Sequence, residues 1–144
     1  QRAVDEFGQM GNTGMECMID RASILHRQKN DKVILAEVSL IEKEIMLEKT
    51  HSVIRNSVAA YHLARLGQIP LEANDPKEAL RLAYRAMQYL DAATPNEYLE
   101  GELNLLQQID NCDKTDKNIT EQVAKLRKRV LFLLERGNRY GQTP

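Results

Sequence analysis

Apolar residues recur at steps of three and four along most of this chain, and no segment alternates apolar and polar residues between turn signals. The first pattern places apolar side chains on one face of an α-helix, whereas alternation would indicate a β-strand. The sequence therefore predicts an all-α fold of about six helices in antiparallel hairpins joined by short turns. Residues 1–12, which contain Gly8 and Gly11, are predicted to be a loose lead-in.

Capping and turn residues predict the limits of the first helices. The sequence TGME at 13–16 is a capping box, so a first helix is predicted from Thr13 to about residue 28, and QKND after it is predicted to be a turn. Residues 31–66 contain neither Gly nor Pro and have helical apolar spacing. The THS at 50–52 favours a break of this span into two helices, with one continuous helix as the alternative.

The most clearly marked helix is predicted for residues 76–93. Asp75 is placed to cap it, Pro76 suits its first position, and Glu78 completes a capping box. Mostly small residues recur on one face of this helix, where another helix backbone could approach closely: Ala79, Ala83, Ala86, Leu90 and Ala93.

The same signals predict a further helix and a connector. Thr94 is placed as the cap of a helix over residues 95–110, with Pro95 as its first residue. The polar residues 111–117 that follow are predicted to form a connector.

The last helix is predicted to begin at Asn118 and to end at Gly137 or Gly141. It contains the basic run KLRKR, residues 125–129, whose cations are predicted to form mainly a solvated helix face. An RNA or lipid site would require more aromatic residues or more positive charge nearby.

The segment VLFLLERG, residues 130–137, has more apolar side chains than one stripe requires. Leu131 and Phe132 extend the apolar surface around the helix. Two interpretations remain: a neighbouring element of the same domain covers these residues, or they offer a surface to a partner helix.

Length and charge limit the possible functions. The 144 residues have a mass of 16.5 kDa and form a single predicted domain, 1–144, excised from a larger protein because the chain lacks an initiator Met. The 20 basic and 21 acidic side chains predict no nucleic-acid partner, and the absence of a long apolar run predicts no membrane insertion. Cys17 and Cys112 have neither disulfide nor zinc spacing, which favours the cytoplasm.

Catalytic patterns are missing from the sequence, so an enzyme, a cofactor and a metal site are not predicted. Glu48 and His51 have the ExxH spacing of di-iron bundles, but such a site requires two of these motifs. His51 could instead accept a phosphoryl group in a histidine phosphotransfer or kinase-dimerisation module, which remains an alternative function.

One resemblance concerns a single helical hairpin. Gly67 lies twelve residues before Ala79, Ala86 lies seven after it, and Asn74 falls in the turn between the helices. This spacing of small residues resembles a tetratricopeptide hairpin. The resemblance implies a scaffold whose packed helices leave a groove for a peptide.

A second resemblance covers about residues 53–140. EALRLAYRAMQYLDAA is similar to the second helix of the MIT domain, a three-helix module that binds ESCRT-III tails, and LLERG resembles the signature of its third helix. An additional helix over 95–110 lies between the two. The resemblance implies that Leu134 contacts apolar residues of a guest and that Glu135 pairs with a basic one.

We therefore expect a non-catalytic interaction domain that binds a helix or peptide of another protein in a groove between residues 76–93 and 118–137. A homodimer closed by residues 130–134 is the other alternative. The predicted partner-binding residues are Lys128, Phe132, Leu134 and Glu135, and the predicted packing residues of the scaffold are Gly67, Ala79, Ala83 and Ala86.

Overall fold

The structure, a computed structural model, describes residues 11–27, 31–112 and 114–139. These ranges contain six α-helices and no strand, which confirms the all-α prediction. The helices are α1 (Gly11–Arg27), α2 (Asp31–Thr50), α3 (Asn56–Glu72), α4 (Pro76–Met87), α5 (Asn96–Cys112) and α6 (Lys117–Arg139).

Helix α3 lies at the centre of the bundle, because it packs against α1, α2, α4 and α5. Helix α6 packs on the other side, against α5 and α4. Helices that follow one another along the chain therefore pack together, and three further pairs are also in contact: α1 with α3, α3 with α5, and α4 with α6.

The break in the 31–66 span is confirmed. Helix α2 ends at Thr50 and α3 begins at Asn56, with Ser52 in the left-handed region at φ 59°. The peptide N–H of Val53 donates to the Glu48 carbonyl at 2.8 Å, which closes the end of α2. Ile54, two residues before α3, is buried and fixes the connection in the core.

The turn between α3 and α4 follows the capping prediction in part. The Asp75 carboxylate accepts a hydrogen bond from the Glu78 N–H at 3.2 Å, and Pro76 is the first helical residue. The Glu78 carboxylate bonds Arg81, whereas the Asp75 N–H donates to the Pro70 carbonyl. Asn74 adopts φ 63°, the left-handed position that ends a helix.

Helix α4 ends at Met87, so the predicted extension to residue 93 is wrong. The N–H groups of residues 88–90 bond carbonyls three residues earlier, which tightens the chain into turns. Leu90 remains buried beyond the helix, whereas Ala93 is exposed. The Thr94 hydroxyl accepts from the Asp91 N–H at 3.0 Å and holds this turn closed.

Two other predicted starts differ slightly from the structure. Helix α1 begins at Gly11, so Thr13 lies within it, and residues 1–10 of the predicted lead-in fall outside the described residues. Helix α5 begins at Asn96, because the first carbonyl that it uses is that of Pro95. Differences of one or two residues are usual at helix ends, because the last turns fray.

The cap of α6 is Asp116 and not Asn118. The Asp116 carboxylate accepts from the N–H groups of Asn118 and Ile119, at 3.0 and 3.3 Å. The helix also continues through Gly137 to Arg139, since one glycine costs a helix only about 1 kcal/mol. Gly141 lies outside the described residues.

A cluster of charged side chains joins α2 to α4, whose backbones are not in direct contact. The Glu42 side chain is only 7% exposed and accepts hydrogen bonds from Arg81, at 2.8 and 2.5 Å, and from Arg85, at 2.7 Å. The bonds from Arg81, together with the two cationic charges, hold the pKa of the Glu42 carboxyl below its usual value despite burial.

Three helices pack closely together at Gly67 of α3. A Cβ atom at this position would lie 2.8 Å from Cδ2 of Leu105 on α5 and 3.6 Å from the carbonyl oxygen of Ala79 on α4. Leu105 and Ala79 are fully buried. The absence of a side chain at Gly67 therefore sets how closely three helices meet.

We predict opposite effects for two Gly→Ala variants. Gly101→Ala should stabilise the protein by about 1 kcal/mol, because beyond its chain neighbours and its own helix backbone the new Cβ meets no atom of the described residues within 4 Å, and Ala favours the helix. Gly67→Ala should destabilise it by about 1 kcal/mol, because overpacking of typically 1–3 kcal/mol exceeds the same gain. Urea unfolding of both variants measures this difference, and equal stabilisation by both would contradict the packing at Gly67.

Candidate interaction cleft

A cleft of about 450 Å³ lies between α4 and the first turns of α6. Its lining residues are Lys77, Leu80, Arg81 and Tyr84 from α4, with Asn118, Ile119 and Gln122 from α6. Leu80 and Ile119 are buried and form an apolar floor, whereas Tyr84 is 56% exposed at the wall. The α4 residues recur at steps of three and four, so they occupy one face of that helix.

The opposite face of α4 is fixed in the core. Ala79, Ala83 and Ala86, which were predicted as packing residues, are fully buried, and Gly67 on α3 is buried as well. Short side chains here allow α4 to pack against α3, its most extensive neighbour. The cleft is therefore built on a helix that is held firmly from behind.

The predicted partner-binding residues lie outside the lining of this cleft. Lys128, Phe132 and Glu135 are exposed and Leu134 is half-buried, all on the later turns of α6. The assignment of partner binding to these four residues stays a prediction. That prediction assumed a groove between α4 and α6. The cleft between these two helices lies at the start of α6 and not beside its later turns.

Phe132 lies between two cations on the surface of α6. The guanidinium groups of Arg129 and Arg136 are 5.7 and 5.6 Å from the centre of its ring. Phe132 is 45% exposed and Leu131 is 50% exposed. Of the two interpretations of this segment, coverage by the same domain is therefore wrong for these two side chains within the described structure.

His51 does not lie on a helix. It is exposed in the turn after α2, and its N–H donates to the Leu47 carbonyl at 3.0 Å, whereas Glu48 is buried one turn earlier. The two ExxH residues therefore do not share a helix face. Among the described residues, no group of three or more His, Cys, Asp or Glu is placed to hold a metal ion.

His62 on α3 is fully buried. Burial, and secondarily the charge of Arg65, lowers the pKa of the His62 imidazole to about 4, so the ring is neutral near pH 7. It packs beside Tyr61, whose ring stacks on Tyr98 of α5 at 4.7 Å between centroids. This arrangement joins α3 to α5 through aromatic contacts.

Glu102 on α5 is fully buried in the apolar stripe of its helix, and neither of its carboxylate oxygens has a hydrogen-bond partner among the described residues. Burial raises the pKa of this carboxyl well above its usual value. The stripe consists of Leu99, Glu102, Leu105, Leu106 and Ile109. The spacing of these residues in the sequence is sufficient to place Glu102 on the buried face of the helix, although Glu102 was not among the predicted functional or core residues.

The cleft lining was also missed in part. The spacing of residues 77, 80, 81 and 84 indicates a second face of α4, whereas the predicted residues of this helix all lie on its alanine face. The proximity of Asn118, Ile119 and Gln122 has no local signal, because it depends on how α5 returns the chain.

Comparison with protein-family models, with curated proteins and with solved structures finds no match to this chain. The resemblance to MIT and tetratricopeptide hairpins therefore stays a prediction. No helix in the described ranges has both the length and the apolarity needed to cross a membrane. Cys17 and Cys112 are both free and exposed, and the cytoplasmic location stays a prediction.

We predict that Glu102 makes the protein less stable as the pH rises. Because folding raises the pKa of this group, its contribution is fully present below the unfolded pKa of about 4.3 and is lost as the pH rises through the folded value. Glu102→Met should therefore raise the free energy of unfolding more at pH 8 than at pH 5.

Glu100→Met, on the exposed side of the same helix, is the matched control and should change stability little at either pH. Chemical unfolding at the two pH values measures both variants. An equal effect of Glu102→Met at pH 5 and pH 8 would show that folding does not raise the pKa of this carboxyl.

Proposed function

We propose that this chain is a non-catalytic protein-interaction module that binds a segment of a partner protein between α4 and α6. The observation that carries this proposal is the cleft, with its apolar floor of Leu80 and Ile119 and its polar walls. A concave apolar surface with a few polar groups around it is typical of a binding site.

The packing behind the cleft supports the same function. The alanine face of α4 is buried, and Arg81 and Arg85 attach α4 to Glu42 of α2. A site on a helix held from two sides needs little ordering when a guest binds, which reduces the entropic cost of association. The MIT and tetratricopeptide resemblance, which implies peptide binding between helices, is in keeping with this role.

A second candidate function is homodimerisation through the later turns of α6. The observation in its favour is the exposure of Leu131 and Phe132, two adjacent large apolar side chains. A second copy would bury both. The two functions use different parts of α6 and do not exclude one another.

We predict where a segment of the partner protein, the guest, contacts this chain. Peptides selected from a random display library on the whole chain should crosslink to a photoreactive amino acid at Tyr84, because this side chain stands at the cleft wall and is exposed. A crosslinker at Glu100, exposed on α5, serves as the control. Mass spectrometry identifies the labelled position.

A third crosslinker at Leu134 separates the cleft from the surface predicted from sequence. Labelling at Leu134 and not at Tyr84 would assign the guest to the later turns of α6 and contradict the cleft. A selection that enriches no peptide would contradict the interaction function itself.

The second prediction concerns the dimer. If a second copy covers Leu131 and Phe132, Phe132→Glu should convert a dimer to a monomer without loss of helix, because the side chain is half exposed and the charge would enter an apolar interface. Light scattering measures the mass, with Lys125→Glu on the same helix as control. A wild-type chain that is monomeric at high concentration would exclude this function.

A further inference from the structure

Among the described residues, the charged groups that line the cleft are all cationic: Lys77 and Arg81 belong to the lining, and none of the lining residues is an Asp or a Glu. Arg81 already bonds Glu42 and Glu78. Lys77 is exposed and has no ion-pair partner among the described residues, so it is the charge that is available to a guest.

The position of Lys77 is unfavourable for the helix itself. It lies in the first turn of α4, directly after Pro76, where the partial positive charge of the helix N-terminus disfavours a cation. Helix stability therefore does not account for a lysine here. An anionic group in the cleft would compensate both for the charge of Lys77 and for the partial positive charge of the helix N-terminus.

The α6 side of the cleft presents a donor and an acceptor. The Gln122 Nε2 group donates to Asn118 Oδ1 at 3.1 Å. This bond leaves the Asn118 Nδ2 group as a donor and Gln122 Oε1 as an acceptor. A peptide backbone carries the complementary pair, a carbonyl and an N–H.

The size and floor of the cleft restrict the guest further. Leu80 and Ile119 offer an apolar contact, and Tyr84 can cover it from the side. The volume of about 450 Å³ is sufficient for a few side chains but not for a complete helix. A short segment with one aliphatic side chain fits this space.

We propose that the cleft binds an acidic-aliphatic segment of a partner protein, with an Asp or Glu paired to Lys77, an aliphatic side chain on Leu80 and Ile119, and the backbone bonded by Asn118 and Gln122. This inference rests on the proposed function and names the chemistry of its ligand. Complementary charge, one apolar anchor and backbone bonds together specify a peptide.

The test begins with the display library of random peptides, each about a dozen residues long. Peptides that crosslink at Tyr84 should be enriched in Asp and Glu next to Leu, Ile or Val. A synthetic copy of the strongest peptide should bind about five- to tenfold more weakly to Lys77→Glu than to the wild type, and more weakly in high salt.

Lys125→Glu is the matched control, because it makes the same charge change at an exposed position of α6 outside the cleft lining. It should leave peptide binding within about twofold of the wild type. Lys77→Glu should remain as stable as the wild type or become more stable, since an anion suits the first turn of a helix. Weaker binding without a loss of stability is a result that a structural role for Lys77 does not produce.

Several outcomes would overturn the inference. Enrichment of basic or neutral peptides that still crosslink at Tyr84 would reject the acidic guest but keep the proposed function. Equal losses for Lys77→Glu and Lys125→Glu would reject a specific pair. If glutarate bound as tightly as the peptide, the ligand of the cleft would be a small carboxylate and not a peptide. A library without enriched peptides would reject both proposals.

Discussion

The close contact of three helices at Gly67 is the constraint on which the rest of the bundle depends. Helix α3 approaches the backbone of α4 near Ala79 and receives the side chain of Leu105 from α5 in the space that a Cβ atom would occupy. Because α3 also supports α1 and α2, its distance from α4 and α5 determines where every other element lies. The position of α4 in turn fixes one wall of the cleft.

Two buried carboxyl groups, Glu42 and Glu102, differ in whether a cation compensates for their burial. Glu42 keeps its charge because Arg81 and Arg85 reach it from another helix, and their own side chains remain partly solvated. Glu102 has no hydrogen-bond partner in the described part of the chain, and burial raises its pKa, so it stays protonated to a higher pH than an exposed Glu does. An ion pair at the edge of a bundle can recover part of its desolvation cost, whereas an isolated carboxyl cannot. The first arrangement also gives Arg81 its place beside the cleft.

Sequence reasoning predicted the fold class and most helix positions, since these follow from local patterns. The break near Thr50 and the cap at Asp75 depend on neighbouring residues, and both were predicted correctly. The end of α4 at Met87 depends on tertiary packing, because Leu90 enters the core from the tighter turns that follow the helix. Likewise, the spacing of residues along α4 and along α6 indicates each helix face of the cleft. The distance between the two faces cannot be derived from either spacing, because it depends on the tertiary fold.

The packing at Gly67 also bears on the order in which the molecule assembles. Helices α3 and α4 are adjacent in sequence and joined by a short turn, so they can associate with little loss of chain entropy. Their contact is incomplete until Leu105 arrives from α5, which is synthesised later. A nascent chain that ends before α5 would therefore expose apolar surface around Gly67, and the hairpin would be open to misassociation during this interval.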